Sequence, residues 1–311
     1  MNFEKIEQAF GLLLENVQTI QNQLKTGFYE AIIEQNVNYL QPVEDWQVLE
    51  SNNQQVRQLE LTPEEWRRTF QYLMMKGQQT EPLQPNHQAT PDSLGFLITL
   101  VIDHLFSKDS LSVLELGSGM GNLAETILLH SQKAIDYLGV ELDDILVELS
   151  ASIAEVLGTE GLTFSQGDAV RSQVFQKDLV VSDLPIGYYP DDVIASRFQV
   201  ASPEEHTYAH HLLMEQGVKY LESDGYAIFL APTQLLTSPQ SELLKEWIQT
   251  ATELVMLVHL PEKIFANPSY AKSLFVFRKF SGQKGTPFVF AFNDLSNLEE
   301  IRDFQAKLES N

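Results

Sequence analysis

The 311-residue sequence contains no cysteine, so disulfide frameworks, thiolate metal sites and cysteine nucleophiles are excluded at the outset. Long hydrophobic runs are also missing. No stretch reaches the roughly 18 apolar residues that a membrane-spanning helix needs, and the start Met1-Asn2-Phe3-Glu4-Lys5 has no basic region leading into an apolar one. These absences predict a cytoplasmic protein with no membrane partner. Positive charge is scarce: 20 Lys and Arg stand against 43 Asp and Glu, a formal net charge of −23, which repels polyanions at long range. A basic footprint must therefore be local. Its best candidate is the set Lys263, Lys272, Arg278, Lys279 and Lys284, with Glu262 the nearest acid. That set reads equally well as a nucleic-acid patch or as solvated strand and loop ends. Internal repeats and low-complexity tracts are absent too, whereas 43% hydrophobic content is ordinary for a core-forming globular chain.

Apolar residues at Ile6, Phe10, Leu13, Val17, Ile20 and Leu24 recur in steps of three and four and so line one helical face. Thr62-Pro63-Glu64-Glu65 announces a second helix, with Thr62 as cap, Pro63 at the first position and Glu65 closing a capping box. Trp66, Phe70, Leu73 and Met74 form its buried side, and Gly77 is the expected stop. Residues 1–85 therefore read as a small all-helical domain ending in a polar linker, Gln78 to Asn86, that contains Pro82 and Pro85. Residues 86–311 alternate short apolar runs with helical ones, the pattern of an α/β, Rossmann-like parallel sheet covered on both faces. Seven strands are expected: Ser112–Leu116, Tyr137–Val140, Leu162–Ser165, Leu179–Ser182, Tyr226–Leu230, Leu254–His259 and Ser273–Arg278. The intervening helices should begin near Gly121, Asp143, Pro203 and Pro239, the third from a box made by Ser202, Pro203 and Glu205.

After the first of these strands comes Glu115-Leu116-Gly117-Ser118-Gly119-Met120-Gly121, where glycines let the backbone approach a nucleotide-like ligand at a helix N-terminus. Two details set this loop apart from a dinucleotide fingerprint. The third glycine comes one position early, leaving Asn122 in its usual place, and Glu115 sits two residues before the loop. A carboxylate there repels a pyrophosphate but attracts the sulfonium and ammonium charges of S-adenosylmethionine. About twenty residues on, Glu141 ends the second strand, placed to accept from both ribose hydroxyls, with Leu142 beside it to pack on adenine. The third strand ends in Gln166-Gly167-Asp168-Ala169, where Asp168 can accept from the exocyclic amine of adenine. Each acid alone is an ordinary loop or cap residue, but successive strand ends on one rim favour a cofactor site.

The fourth strand runs into Ser182-Asp183-Leu184-Pro185-Ile186-Gly187-Tyr188-Tyr189-Pro190, which resembles the Asn/Asp-Pro-Pro-aromatic motif of amino-group methyltransferases. Three more segments extend the likeness: His87-Gln88-Ala89-Thr90-Pro91-Asp92, Gly225 to Pro232, and Leu260-Pro261-Glu262-Lys263-Ile264-Phe265. In order and spacing they resemble the N6-adenine DNA methylase family, including modification subunits of type I restriction systems, across about residues 86–280. The resemblance implies a class I S-adenosylmethionine-dependent methyltransferase in which Thr90 and Pro91 help hold the methionine end of the cofactor. Gly117, Ser118, Gly119, Gly121, Asn122, Glu115, Glu141, Leu142, Asp168, Ala169 and Asp183 would complete that site. Asp183 and the Leu184 carbonyl would accept hydrogen bonds from the target amine and aim its lone pair at the methyl carbon, with Pro185, Tyr188 and Tyr189 shaping the loop. Leu184 replaces the first proline and Ile186 the aromatic that would stack on an extruded base, so Tyr188 or Tyr189 is the expected substitute.

No DNA-reading domain is visible beyond Pro287–Phe292 and a helix near Leu298–Leu308, so a DNA substrate implies a separate recognition subunit. A homodimer is compatible with the exposed face that a short helical domain leaves. His206, His210 and His211 lack an acid at metal-site spacing and read as packing or solvent-facing groups, so no metal is expected. Phe275, Phe277 and Phe280 alternate as strand core. Three functions stay open on these grounds: N-methylation of adenine in nucleic acid, N-methylation of a protein glutamine or small-molecule amine, and a cofactor-binding regulatory module without catalysis.

Overall fold

Neighbouring residues along the strands enter opposite cores, as the two-residue period of extended chain dictates. Leu111 and Val113 pack on one side of the sheet, Leu114 and Leu116 on the other. The computed structural model describes residues 1–84, 89–172, 176–265, 267–280, 282 and 285–310. Four helices come first: α1 (Phe3–Leu24), α2 (Phe28–Leu40), α3 (Gln47–Gln58) and α4 (Pro63–Thr80). Then follow α5 (Asp92–Leu105), β1 (Ser110–Leu116), α6 (Asn122–His130), β2 (Ala134–Glu141), α7 (Asp144–Leu157), β3 (Leu162–Gln166) and β4 (Lys177–Asp183). The remainder is α8 (Asp192–Ala195), α9 (Ala209–Lys219), β5 (Leu221–Pro232), α10 (Ser241–Ala251), β6 (Thr252–His259), β7 (Lys272–Lys279), β8 (Phe288–Ala291) and α11 (Leu298–Glu309).

The strand order is β3-β2-β1-β4-β5-β7-β6-β8. All seven expected strands are present, and β8 adds an eighth beside β6. The sheet is mixed, not wholly parallel, because β7 runs antiparallel to both β5 and β6. This reversal brings the start of β7 to the rim where the parallel strands end: Lys272 pairs in register with Pro232 at the end of β5. Helices α5, α6 and α11 cover one face, and α9 and α10 the other.

Three further expectations need correction. Ser202, Pro203 and Glu205 start no helix: the Ser202 amide donates to Thr207 Oγ1 at 2.9 Å, and a bridge between Tyr188 and Tyr208 holds the chain extended until α9. Gly77 does not end α4, which continues to Thr80. Its hydrogen faces Tyr29, where a Cβ would come within 2.9 Å of the ring, so it is a close-packing glycine. The linker also begins later than expected, since Gln78 to Thr80 are helical, while Pro85 and Asn86 lie outside the described residues. The Thr62 box is formed as expected, with Glu65 N donating to Thr62 Oγ1 and Thr62 N to Glu65 Oε2.

Helices α1 to α4 share a core with α7, where Leu13, Val17, Phe70 and Leu73 meet Leu149 and Ile153. Within the helices runs a buried amide network. Asn16 Nδ2 donates to Gln35 Oε1 and Asn53 Oδ1, Gln35 Nε2 to Asn53 Oδ1, and Asn53 Nδ2 to Asn38 Oδ1, at 2.7–3.1 Å. A second polar link reaches the segment before the sheet. Arg67 on α4, with 1% of its side chain exposed, donates to both oxygens of Glu64 and of Asp92 and to Thr126 Oγ1. All its donors are occupied, and those partners hold the guanidinium pKa above its ordinary value.

Breaking a buried ion pair by removing one partner costs about 3–5 kcal/mol. An Arg67→Met substitution should lower unfolding free energy by that order, read as a lower urea midpoint. Glu125 on α6 is buried, with Oε1 unpartnered, and burial lifts its carboxyl from 4.5 to about 8. The folded state therefore keeps a proton there that the unfolded state releases, so stability falls as pH rises between those values, by up to ~1.4 kcal/mol per pH unit. Glu125→Gln should remove that share of the slope in urea unfolding measured from pH 5 to 8.

Candidate active site

The rim formed by the ends of β1, β2, β3 and β4 gathers the expected site residues. Gly117, Gly119 and Gly121 have φ of 72°, 53° and 78°, the left-handed region that side chains disfavour. They differ in surroundings. A Cβ on Gly117 or Gly119 would meet nothing within 4 Å, whereas one on Gly121 would strike Phe164 at 2.8 Å and Ser150 at 3.0 Å. The first two glycines thus keep a cradle open, and the third lets α6 pack on its neighbours. Between them Ser118 Oγ is buried without a partner. A cradle lined by bare backbone and an unsatisfied hydroxyl fits a polar ligand such as the expected cofactor.

Glu141 braces this loop. Its Oε2 accepts from Gly119 N at 2.8 Å, and its Oε1 from Leu142 N and Asp143 N at 2.7 and 3.0 Å. Three of about four acceptor sites on the carboxylate are therefore used within the chain, leaving capacity for one hydroxyl in place of the expected pair. Leu142 stands beside it 67% exposed, an apolar wall at the rim. Glu115 is buried behind the loop and accepts from Tyr137 Oη at 2.9 Å. Burial raises its carboxyl well above the usual range against that hydrogen bond, and the charges of Asp183 and Glu141 push it further up. A cation placed beside Glu115 would relieve that repulsion and favour its ionised form.

Asp168 is bound to the loop that follows β4. Its Oδ2 accepts from Tyr189 Oη at 2.6 Å and from Arg171 Nε at 3.2 Å, and its Oδ1 from Val170 N at 3.0 Å. Burial and then Asp168 lift the Tyr189 phenol to about 12. Ala169, next to it, is half-buried. The two expected loop tyrosines therefore part company: Tyr189 fastens the loop to the end of β3, whereas Tyr188 is 54% exposed and stacks on Tyr208 with ring centroids 4.8 Å apart. Tyr208 in turn stacks on His210. His210 and His211 are buried, which pushes their imidazoles down to about 4 and about 3, and His210 donates to the Pro185 carbonyl. His206 is exposed and pairs with Asp192 at 2.8 Å.

Asp183 stands at the end of β4 and is held on both oxygens. Its Oδ2 accepts from Thr90 Oγ1 at 2.8 Å. Asn122 Nδ2 donates to the Thr90 carbonyl at 2.7 Å, so the residue after the third glycine positions the segment that positions Asp183. Pro91 follows, and its carbonyl accepts from Leu94 N in the first turn of α5. His87 and Gln88 of the same motif lie outside the described residues. On its other oxygen Asp183 accepts from the Lys272 ammonium, which also donates to the Leu184 carbonyl at 2.7 Å. Both acceptors expected to hold a target amine thus converge on one nitrogen.

Lys272 was grouped by sequence with a basic patch, and its position in the site could have been found only from the antiparallel course of β7. The other members of that patch are also engaged. Lys263 pairs with Asp294 at 2.7 Å, Arg278 with Glu253 at 2.7 Å, and Lys279 with the Leu221 carbonyl. Lys284 lies outside the described residues.

No family model matches the chain. It is 32% identical over 276 residues to the uncharacterized protein YtxK of Bacillus subtilis (strain 168), a match spanning 85% of this chain and 83% of YtxK. Among solved structures, a candidate class I S-adenosylmethionine-dependent methyltransferase from Listeria monocytogenes aligns over 99% of both chains at 27% identity, with a TM-score of 0.87. The methyltransferase subunit of a type I restriction-modification system from Streptococcus thermophilus aligns over 97% of this chain and 73% of its own at 13% identity, with a TM-score of 0.64. That second likeness is one of fold.

The differing surroundings of the glycines separate binding from stability. Gly119→Ala should cost about 1–2 kcal/mol of stability from its left-handed backbone and weaken S-adenosylmethionine binding at least tenfold by calorimetry. Gly121→Ala, forced against Phe164 and Ser150, should show the larger loss in urea unfolding.

Proposed function

Because the chain belongs to the same family as YtxK and is a class I S-adenosylmethionine-dependent methyltransferase, we propose that it methylates an exocyclic amine, adenine N6 in a nucleic acid being the leading acceptor. The observation that carries this reading is the convergence of Asp183 Oδ1 and the Leu184 carbonyl on a single N–H-bearing nitrogen. Two oxygens that hold one ammonium have the spacing to hold two N–H groups of an amine. Held this way, an amine nitrogen has its lone pair directed away from both oxygens, and orientation of that kind is a large part of what a methyl-transfer site must supply.

S-adenosylmethionine, when bound, supplies the electrophilic methyl group. Gly117, Ser118 and Gly119 would line its cradle, Glu141 would accept from a ribose hydroxyl, and Glu115 would face its positive charge. Thr90 fixes the rotation of the Asp183 carboxylate, and Asn122 fixes Thr90. The nitrogen attacks as the neutral amine and releases its proton afterwards, so no strong general base is required. Tyr188, exposed and already stacked on Tyr208, offers the aromatic face that the loop lacks at Ile186. A nucleic-acid acceptor would call for a separate recognition subunit in this reading.

A second reading has its own support. The net charge of −23 and the pairing of Lys263, Arg278 and Lys279 within the chain favour an acceptor that is not a polyanion, such as a protein glutamine or a small amine. Labelled-methyl transfer to DNA, RNA and cell-extract protein separates the two readings. With whichever acceptor is labelled, Asp183→Ala should reduce transfer at least ~100-fold, the scale seen when one aligned polar group is removed from an active site. Cofactor calorimetry on the same variant separates a lost acceptor seat from a weakened cofactor site, to which Asp183 and its partner Thr90 are also assigned. Full transfer by that variant would remove the proposed role of Asp183, and a cofactor bound without transfer to any acceptor would leave a binding module.

A further inference from the structure

Lys272 opens the antiparallel strand β7, one position before the first fully buried residue of that strand, Ser273. Its register partner is Pro232 at the end of β5, and β5 in turn pairs Leu230 with Asp183. Strand geometry alone thus delivers the lysine to the carboxyl rim. The stem then carries the ammonium onto Asp183 Oδ1 and the Leu184 carbonyl, with 13% of the side chain exposed. Asp183 has its other oxygen on Thr90, so without Lys272 the carboxylate would still be oriented. The ammonium is therefore not needed to aim Asp183. What it does is occupy the two acceptors.

We propose that Lys272 is a tethered occupant of the acceptor-amine seat and determines which acceptors enter it. The inference rests on the assignment of Asp183 and the Leu184 carbonyl as that seat. An incoming amine must replace the lysine nitrogen on both oxygens. A neutral amine offers the carboxylate a hydrogen bond without the ion-pair attraction that the ammonium adds, so its contact is the weaker of the two. A small free amine, protonated at neutral pH like the lysine itself, brings nothing that the tethered ammonium does not already supply in place and is held out, and the seat opens to an amine borne on a larger body whose other contacts compensate. When the lysine leaves it gives up its ion pair with Asp183, a loss that hydration of the ammonium and the regained rotamer freedom of the stem offset in part.

The test vacates the seat and offers it the atoms removed. Lys272→Ala keeps Cβ and deletes three methylenes and the ammonium, which together are n-propylammonium. Titrated as the chloride at fixed ionic strength, n-propylammonium should raise the melting temperature of Lys272→Ala saturably, with a dissociation constant on the order of millimolar. It should not do so in wild type. Tetramethylammonium, a cation without N–H groups, should leave both unchanged. If the vacant seat prevents the variant from folding, n-propylammonium should restore folding. A variant indifferent to n-propylammonium, a wild type that responds equally, an equal response to tetramethylammonium, or an unfolded variant that the amine does not rescue would overturn the proposal. Cofactor calorimetry on the same preparations tests the methyltransferase reading separately, because the amine titration needs no cofactor.

Discussion

The carboxylate of Asp183 joins three segments that are distant in sequence: β4, on which it sits, the Thr90 segment ahead of α5, and the first residue of β7. Both contacts are largely shielded from water, and in the Lys272 ion pair opposite charges about 4 Å apart would interact by roughly 4 kcal/mol at an effective dielectric near 20. The Thr90 contact is itself held from two sides. Asn122 grips the Thr90 carbonyl from α6, and Arg67 grips Asp92 from α4. The conformation of one acid at the sheet rim therefore depends on the glycine loop and on the helical region together.

Much of the site was legible because it is built from local rules. Gly117, Gly119 and Gly121 sit between an apolar strand and an apolar helix, and the left-handed backbone they adopt is what such spacing requires. Glu141 and Asp183 close their strands, and Glu115 stands one residue before the end of its own, where open α/β sheets bind ligands. What escaped was long-range. A strand pattern has the same period whichever way the strand runs, so nothing local in Lys272–Lys279 announces that β7 is reversed and brings its lysine to the site. The Ser202 box failed for a related reason: its capping signal is local, and the Tyr188–Tyr208 bridge overrides it. Helix α3 was missed because its buried face includes Asn53, a polar residue that blurs the apolar period.

The acid excess has a structural counterpart. Lys263, Lys272, Arg278 and Lys279, which look like a basic patch when read along β6, β7 and the loops around them, are each drawn to an acid or carbonyl of their own. In a chain with more than twice as many acids as bases, a lysine or arginine near the sheet rim rarely lacks an internal partner. The positive charge of these four residues fastens strands and loops.

The amide network of Asn16, Gln35, Asn38 and Asn53 bears on how the helical region can behave. Apolar helices can slip past one another by a turn and still bury similar area, but a set of side-chain amides matches donor to acceptor in only one alignment. Sliding α1, α2 or α3 by a single turn would strand several amides away from water at once. The helices are thereby keyed to one another like wards in a lock, and Asn36, bonded to Ser152 on α7, extends the keying to the sheet domain. The region that precedes the sheet is thus held against it in a single alignment.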